Sequence, residues 1–161
     1  MTALPSFDVE WAIHITKQSN GTYLLQYLTF RRSVLWTAQA GNPGYRAPAS
    51  LVKDVIISRE LATRLNNLVV AAIDAARKQE SGYDVLDGID YLFRAQGATC
   101  AEVASPPAGS QLKDLTNLFE ALRHLAQTDP DQRRQEEQAI LRTALGFVWR
   151  SSPTQPAQNR S

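Results

Sequence analysis

The most constraining feature of this chain is a period-2 run followed by a turn signal near its start. At 9–16 Val9, Trp11, Ile13 and Ile15 alternate with Glu10, Ala12, His14 and Thr16, which predicts a half-buried β-strand. Ser19-Asn20-Gly21 then supplies the Asn-Gly pair that a tight hairpin turn with positive φ prefers, and an aromatic-rich run over 23–30 returns the chain. A β-hairpin commits this part of the molecule to an antiparallel sheet. Its second strand is expected to run on through Arg31 and Arg32 to Val34 and Trp36, with Phe30, Arg32, Val34 and Trp36 on one face. An arginine on such a face sits at a sheet edge, at a bulge or over a cleft.

Downstream, residues 38–50 combine two Gly and two Pro without periodicity and are expected to form a long irregular loop, the kind of segment that carries function or moves. A β-prone stretch at 52–57 precedes Ser58, a helix N-cap. Leu61, Leu65, Leu68, Ala72, Ile73 and Ala76 then recur at helical spacing to about Gln79. Residues 83–86, Asp87-Gly88 and 89–95 read as a second hairpin with Ile89, Tyr91 and Phe93 on one face, and 99–104 as a further strand. Ser110 or a neighbour caps a helix bearing Leu112, Leu115, Leu118, Phe119, Leu122 and Leu125. Asp129-Pro130 opens a last helix, polar and solvent-facing over 131–138 and apolar from Ile140 to Trp149. The expectation is an α+β fold: an antiparallel sheet of about four to six strands built from hairpins, packed against about three amphipathic helices. It forms one domain over 1–150, followed by a disordered tail at 151–161.

Composition narrows the functional classes. The 17 Lys+Arg against 16 Asp+Glu leave a net charge of +1, which gives nucleic acid no basic stripe to bind, and no apolar run is long enough for a membrane span. The single cysteine, Cys100, excludes an internal disulfide and a thiolate zinc cluster. His14 and His124 are read as solvated side chains rather than zinc ligands, and neither is expected to activate Cys100. Asp84, Asp87 and Asp90 cluster around the Asp-Gly turn with the wrong spacing for a calcium loop. No phosphate-cradling loop, dinucleotide fingerprint or nucleophile elbow is present in the sequence, so no cofactor is expected. The first eight residues lack the basic and apolar regions of a secretory signal, giving a cytoplasmic expectation, or a periplasmic one had a signal been removed.

What remains concerns surfaces. Tyr23, Tyr27, Arg31, Arg32 and Trp36 gather aromatics and arginines on the first hairpin and its extension, with Tyr45 and Arg46 in the long loop. These residue types dominate protein interfaces, although the aromatics serve equally as core beneath the helices. Arg31, Arg32, Trp36, Tyr45 and Arg46 are the candidate partner-binding residues.

The Leu-Asp-Gly-Ile-Asp-Tyr-Leu-Phe run at 86–93, the Ser-Pro-Pro-Ala-Gly-Ser run at 105–110 and the leucine-rich helix after it resemble a set of small Gram-negative bacterial proteins. Their shared pattern is Asp-Gly-x-x-Tyr-x-Phe, a strand, Ser-Pro-x-x-Gly-Ser and an amphipathic helix. The resemblance covers residues 80–125. Its members often carry an export signal and a Trp before the Ser-Pro, where this chain has Ala104 and no such signal. It implies a small α+β protein of the type that serves as an immunity partner or inhibitor of an antibacterial effector. The leading expectation is therefore a non-enzymatic protein that binds a cognate effector. Beside it stand a structural or adaptor subunit, including a homodimer through the first hairpin, and a carboxylate-based enzyme or small-ligand binder using Asp84, Asp87, Asp90 and Glu102.

Overall fold

A computed structural model describes residues 1–5, 8–31, 50–76, 88–95 and 100–148. The chain is α+β. In order come β1 (Thr2–Pro5), β2 (Trp11–Lys17), β3 (Tyr23–Phe30), β4 (Ser50–Ile57), α1 (Arg59–Ala76), β5 (Ile89–Phe93), β6 (Ala101–Ala104), α2 (Gln111–Gln127) and α3 (Pro130–Gly146). The strands form one antiparallel six-stranded sheet in the order β4-β3-β2-β1-β5-β6.

The first hairpin forms with its tight turn at the expected residues. Gly21 N donates to the Gln18 carbonyl at 3.0 Å and Gln18 N to the Thr22 carbonyl at 2.8 Å, enclosing the three-residue loop Ser19-Asn20-Gly21. Only Gly21, at φ +85°, takes the left-handed conformation in it, as in a three-residue hairpin loop closed by a glycine. Asn20 keeps ordinary φ and uses its side chain, whose Oδ1 accepts from Thr22 N at 3.0 Å and Thr22 Oγ1 at 2.7 Å.

Two expectations of strand pairing are corrected. The strand β1 was not foreseen, being four residues that end in proline, yet it lies in the middle of the sheet between β2 and β5. Pro5 fits there because its place opposite Ile89 is beyond the last pair with β2, so its missing N–H removes no ladder bond. The second hairpin also differs: both sides of β5 are taken, by β1 and by β6, so Ile89–Phe93 does not pair with 83–86, which lie outside the described residues. Ile89, Tyr91 and Phe93 do share the expected face, Tyr91 and Phe93 buried and Ile89 packed against the core.

Helix α1 begins as the sequence indicates, Ser58 Oγ accepting from Leu61 N at 3.3 Å, and buries Leu61, Leu65, Leu68, Ala72 and Ile73. All six apolar residues anticipated for α2 are buried, and Phe119 meets Phe93 edge to face with ring centroids 6.0 Å apart. The 105–110 run delivers the chain to α2 through two serines. Ser105, held at φ +34°, accepts from Ile89 N through its hydroxyl at 2.9 Å and returns its own N–H to the Ile89 carbonyl at 2.9 Å, while Ser110 Oγ accepts from Lys113 N at 3.1 Å. Asp129 and Pro130 open α3, but Asp129 makes no side-chain capping bond. The polar start of α3 is mostly exposed as expected, with one tie to the body: Glu137 Oε1 accepts from Ser58 N at 2.7 Å. Ile140 and Ala144 are buried, whereas Leu145 is exposed. At its far end Arg64 of α1 donates to the carbonyls of Ala144, at 2.8 Å, and Phe147, a cation satisfying helix C-terminal acceptors.

The extension through Arg32, Val34 and Trp36, the loop at 38–49, the end of the first helix near Gln79, Trp149 and the tail at 151–161 lie outside the described residues.

Three outcomes follow. Replacement of Ser110 by alanine lowers the unfolding free energy in urea by about 1 kcal/mol, and Asp129→Ala, losing no capping bond, costs clearly less. Arg64→Met removes two charge-assisted bonds between α1 and α3 and costs about 1–3 kcal/mol in the same assay. Burial pushes the Tyr91 phenol above its usual value, helped by the Glu120 charge and opposed by a Thr116 hydrogen bond and Arg123. Because the unfolded chain ionises this tyrosine more readily, stability is lost as pH rises through about 10, and the loss is shallower in Tyr91→Phe.

Candidate protein-binding surface

The registers place odd-numbered strand residues on one face of the sheet and even-numbered residues on the other. The odd face carries Ala3, Trp11, Ile13, Leu25, Tyr27, Val55, Ile57, Tyr91 and Phe93, all buried in one core with α1, α2 and α3. Arg123 of α2 lies over the Trp11 ring at 5.2 Å, closing this core at one side.

The even face has none of these helices over it and is nonetheless rich in apolar side chains. Val52, Leu28, Ala12, Thr2 and Leu92 stand opposite one another in succession across five strands. A second row joins Ile56, Leu24 and Thr16; between the two runs a polar row of Asp54, Gln26 and His14, with Gln26 Nε2 donating to Asp54 Oδ1 at 3.2 Å. Val52 and Ile56 are 50% and 68% exposed on this face of β4, the edge strand, and Leu51, 45% exposed, stands on the opposite face. A cluster of large apolar groups in water is what docking surfaces look like.

The signal of this face is present in the sequence. In β3, Leu24, Leu28 and Phe30 lie between Leu25, Tyr27 and Thr29, and in β4, Val52 and Ile56 alternate with Val55 and Ile57. An antiparallel strand apolar at both parities is one whose two faces are both destined for cover.

Of the anticipated partner-binding residues, Arg31 is exposed directly after β3, at the Phe30 end of the open face. Arg32, Trp36, Tyr45 and Arg46 lie outside the described residues. Tyr27 is buried and Tyr23 packs against the core, so these two aromatics serve the helix side of the sheet. Asp90 and Glu102 both occupy the even face, on neighbouring strands, while Asp84 and Asp87 lie outside the described residues. Among the described residues no three His, Cys, Asp or Glu side chains gather in a way that could hold a metal ion. His124 is exposed on α2, its Nδ1 3.4 Å from Thr128 Oγ1.

A cleft of about 940 Å³ lies beside Met1 and Thr2. It is flanked by His14, Ile15, Thr16 and Lys17 of β2 on one side and by Phe93, Arg94, Ala95 and Cys100 on the other, with Leu65 and Val69 of α1 and Phe119 of α2 at its base. His14 and Cys100 both line it, and no hydrogen bond joins them. Partial burial holds the His14 imidazole below its usual value, so at neutral pH it is an uncharged hydrogen-bonding group.

No protein-family model matches this chain, and neither a curated protein nor a solved structure does. No described helix is long and apolar enough to cross a membrane.

Proposed function

We propose that this is a non-enzymatic protein that binds another protein, and that its partner is a bacterial toxic effector which it neutralises. The observation that carries the reading is the apolar even face, with Val52 and Ile56 standing in water on an edge strand and Arg31 at its border. A flat sheet face of leucine, valine and isoleucine crossed by a polar row offers area for desolvation and a register for specificity, the two requirements of a tight inhibitor. The bacterial setting and the effector come from the resemblance of residues 80–125. In this reading Arg31, exposed at its border, belongs to that surface, and Arg32, Trp36, Tyr45 and Arg46, outside the described residues, keep the partner-binding role expected from the sequence.

The exposed edge of β4 favours one alternative, a subunit that associates with its own copy or with a larger assembly. Antiparallel pairing of two β4 strands would join two sheets and make one continuous face of the two copies' Val52 and Ile56.

The decisive experiment is affinity purification of the tagged protein from its native bacterium, followed by expression of what co-purifies. The expected result is a stoichiometric protein, encoded beside this one, that arrests growth alone and is silenced by co-expression. Val52→Lys with Ile56→Lys should weaken that complex by about thirtyfold or more, as loss of a central contact of about 2 kcal/mol does. The same pair should change stability by no more than about 1 kcal/mol, since both side chains already face water. A homodimer by light scattering that the double variant converts to monomer would instead establish the self-association reading.

A further inference from the structure

The far side of β4 has no neighbour among the described residues, and the ladder determines which of its backbone groups face that side. Gln18 N donates to the Thr22 carbonyl in the same register as the β2–β3 pairs, so the even-numbered residues of β2 and β3 are the ones that bond each other. The odd residues of β3 therefore bond to β4, and Val52, Asp54 and Ile56 turn their N–H and C=O groups to the free edge. The next even residue, Ser58, gives its N–H to Glu137 Oε1 of α3 at 2.7 Å, so α3 closes the edge at that end. Native sheets blunt such an edge by shortness, proline or a bulge. β4 runs for 8 residues without proline and pairs with β3 in unbroken register, which leaves its exposed stretch a template for one more strand.

The charges in the middle of β4 decide which strand fits. Lys53 and Asp54 are both exposed, Lys53 on the helix side of the sheet and Asp54 on the open face. In a two-fold antiparallel pair of β4 strands, each residue meets one of its own parity on the second copy. A pair centred on residue 53 sets Lys53 against Lys53, and one centred on residue 54 sets Asp54 against Asp54, like charges directly opposite. Centring on residue 52 carries Ile56 past the end of the other copy's β4, and centring on residue 55 brings Val52 against Ser58, whose N–H already belongs to Glu137. A second copy is opposed in each of these registers. A foreign strand with a cation opposite Asp54 and a carboxylate opposite Lys53 gains both pairs, and apolar side chains beside Val52 and Ile56 would continue the rows of the open face.

We propose that the edge of β4 is a strand-addition site for an extended segment of another protein, antiparallel to β4 and reading apolar, any, basic, acidic, apolar from its N-terminal end. Backbone bonds to Val52, Asp54 and Ile56 supply affinity, and the facing charges fix register and direction, as in other cases of strand addition. The inference rests on the protein-binding reading above and specifies its mode: the partner pairs with the edge of the sheet as well as lying on its open face.

The test uses the full chain and the fluorescein-labelled peptide Thr-Val-Thr-Lys-Glu-Val-Thr. Saturable binding by fluorescence anisotropy is expected, with slowed hydrogen exchange at the Val52, Asp54 and Ile56 amides and no change at Lys53 and Val55, whose N–H groups β3 already binds. N-methylation of the two valines and the lysine, whose N–H groups would face β4, should weaken binding about tenfold or more, whereas N-methylation of the central threonine and the glutamate, which face away, should not. Exchanging the lysine and the glutamate in the peptide should also cost about tenfold, and Lys53→Glu with Asp54→Lys in the protein should reverse that preference, a rescue that misfolding cannot imitate. Absence of saturable binding, one affinity for both N-methylated peptides, an unchanged charge preference in the double variant, or a homodimer by light scattering that the peptide dissociates would each overturn the proposal. A toxic partner released by Val52→Lys with Ile56→Lys while the peptide fails to bind would overturn strand addition and leave the open face as the docking surface. Register-specific peptide pairing with no toxic partner recovered would uphold strand addition and remove the effector.

Discussion

Everything in this sheet depends on β1 being held between β2 and β5. The meander β2-β3-β4 is local in sequence, and so is the β5-β6 pair, but the two are joined as one sheet only through Thr2–Pro5. Its pairing with Ile89–Phe93 closes a loop of more than half the chain, the kind of contact whose closure entropy must be met before it is rewarded. The compensation lies beneath it. Ala3 is fully buried, and Tyr91 and Phe93 enter the same core as Trp11, Ile13 and the α2 leucines. Placing β1 is therefore also what aligns the two groups of odd-numbered residues under α1, α2 and α3.

That arrangement divides the apolar residues between two faces with different fates. The helices cover the odd face and leave the even one with Val52, Leu28, Leu24 and Ile56. A chain selected only for solubility would place charges at such positions, and on the even face of β4 it does so only at Asp54. The cost of leaving such residues in water is one that an interface recovers.

Local rules made much of this legible in the sequence. The alternation of Trp11, Ile13 and Ile15, the caps Ser58 and Ser110, and the stripe from Leu112 to Leu125 each depend on residues a few positions apart, and each is present in the fold. What was not legible depends on partners distant in sequence. Nothing in Thr-Ala-Leu-Pro states that it will lie between two strands, and the Asp-Gly signal before Ile89 suggested a neighbour whose place β1 holds. The candidate site divides in the same way. Arginines and tyrosines drew attention by type, yet Tyr27 faces the core, and the exposed apolar face is recognised only once register shows which of two apolar parities the helices cover.

The even face is itself divided into rows. Val52, Leu28, Ala12, Thr2 and Leu92 make one apolar row across five strands, and Thr2 of β1 is the link that carries it from Ala12 to Leu92. One step further along β2 the row is Asp54, Gln26 and His14, whose hydrogen-bonding groups lie between that apolar row and the row of Ile56, Leu24 and Thr16. A partner that covered the face would meet desolvation on the apolar rows and directional hydrogen bonding between them, so that area and register are read by different rows of one sheet.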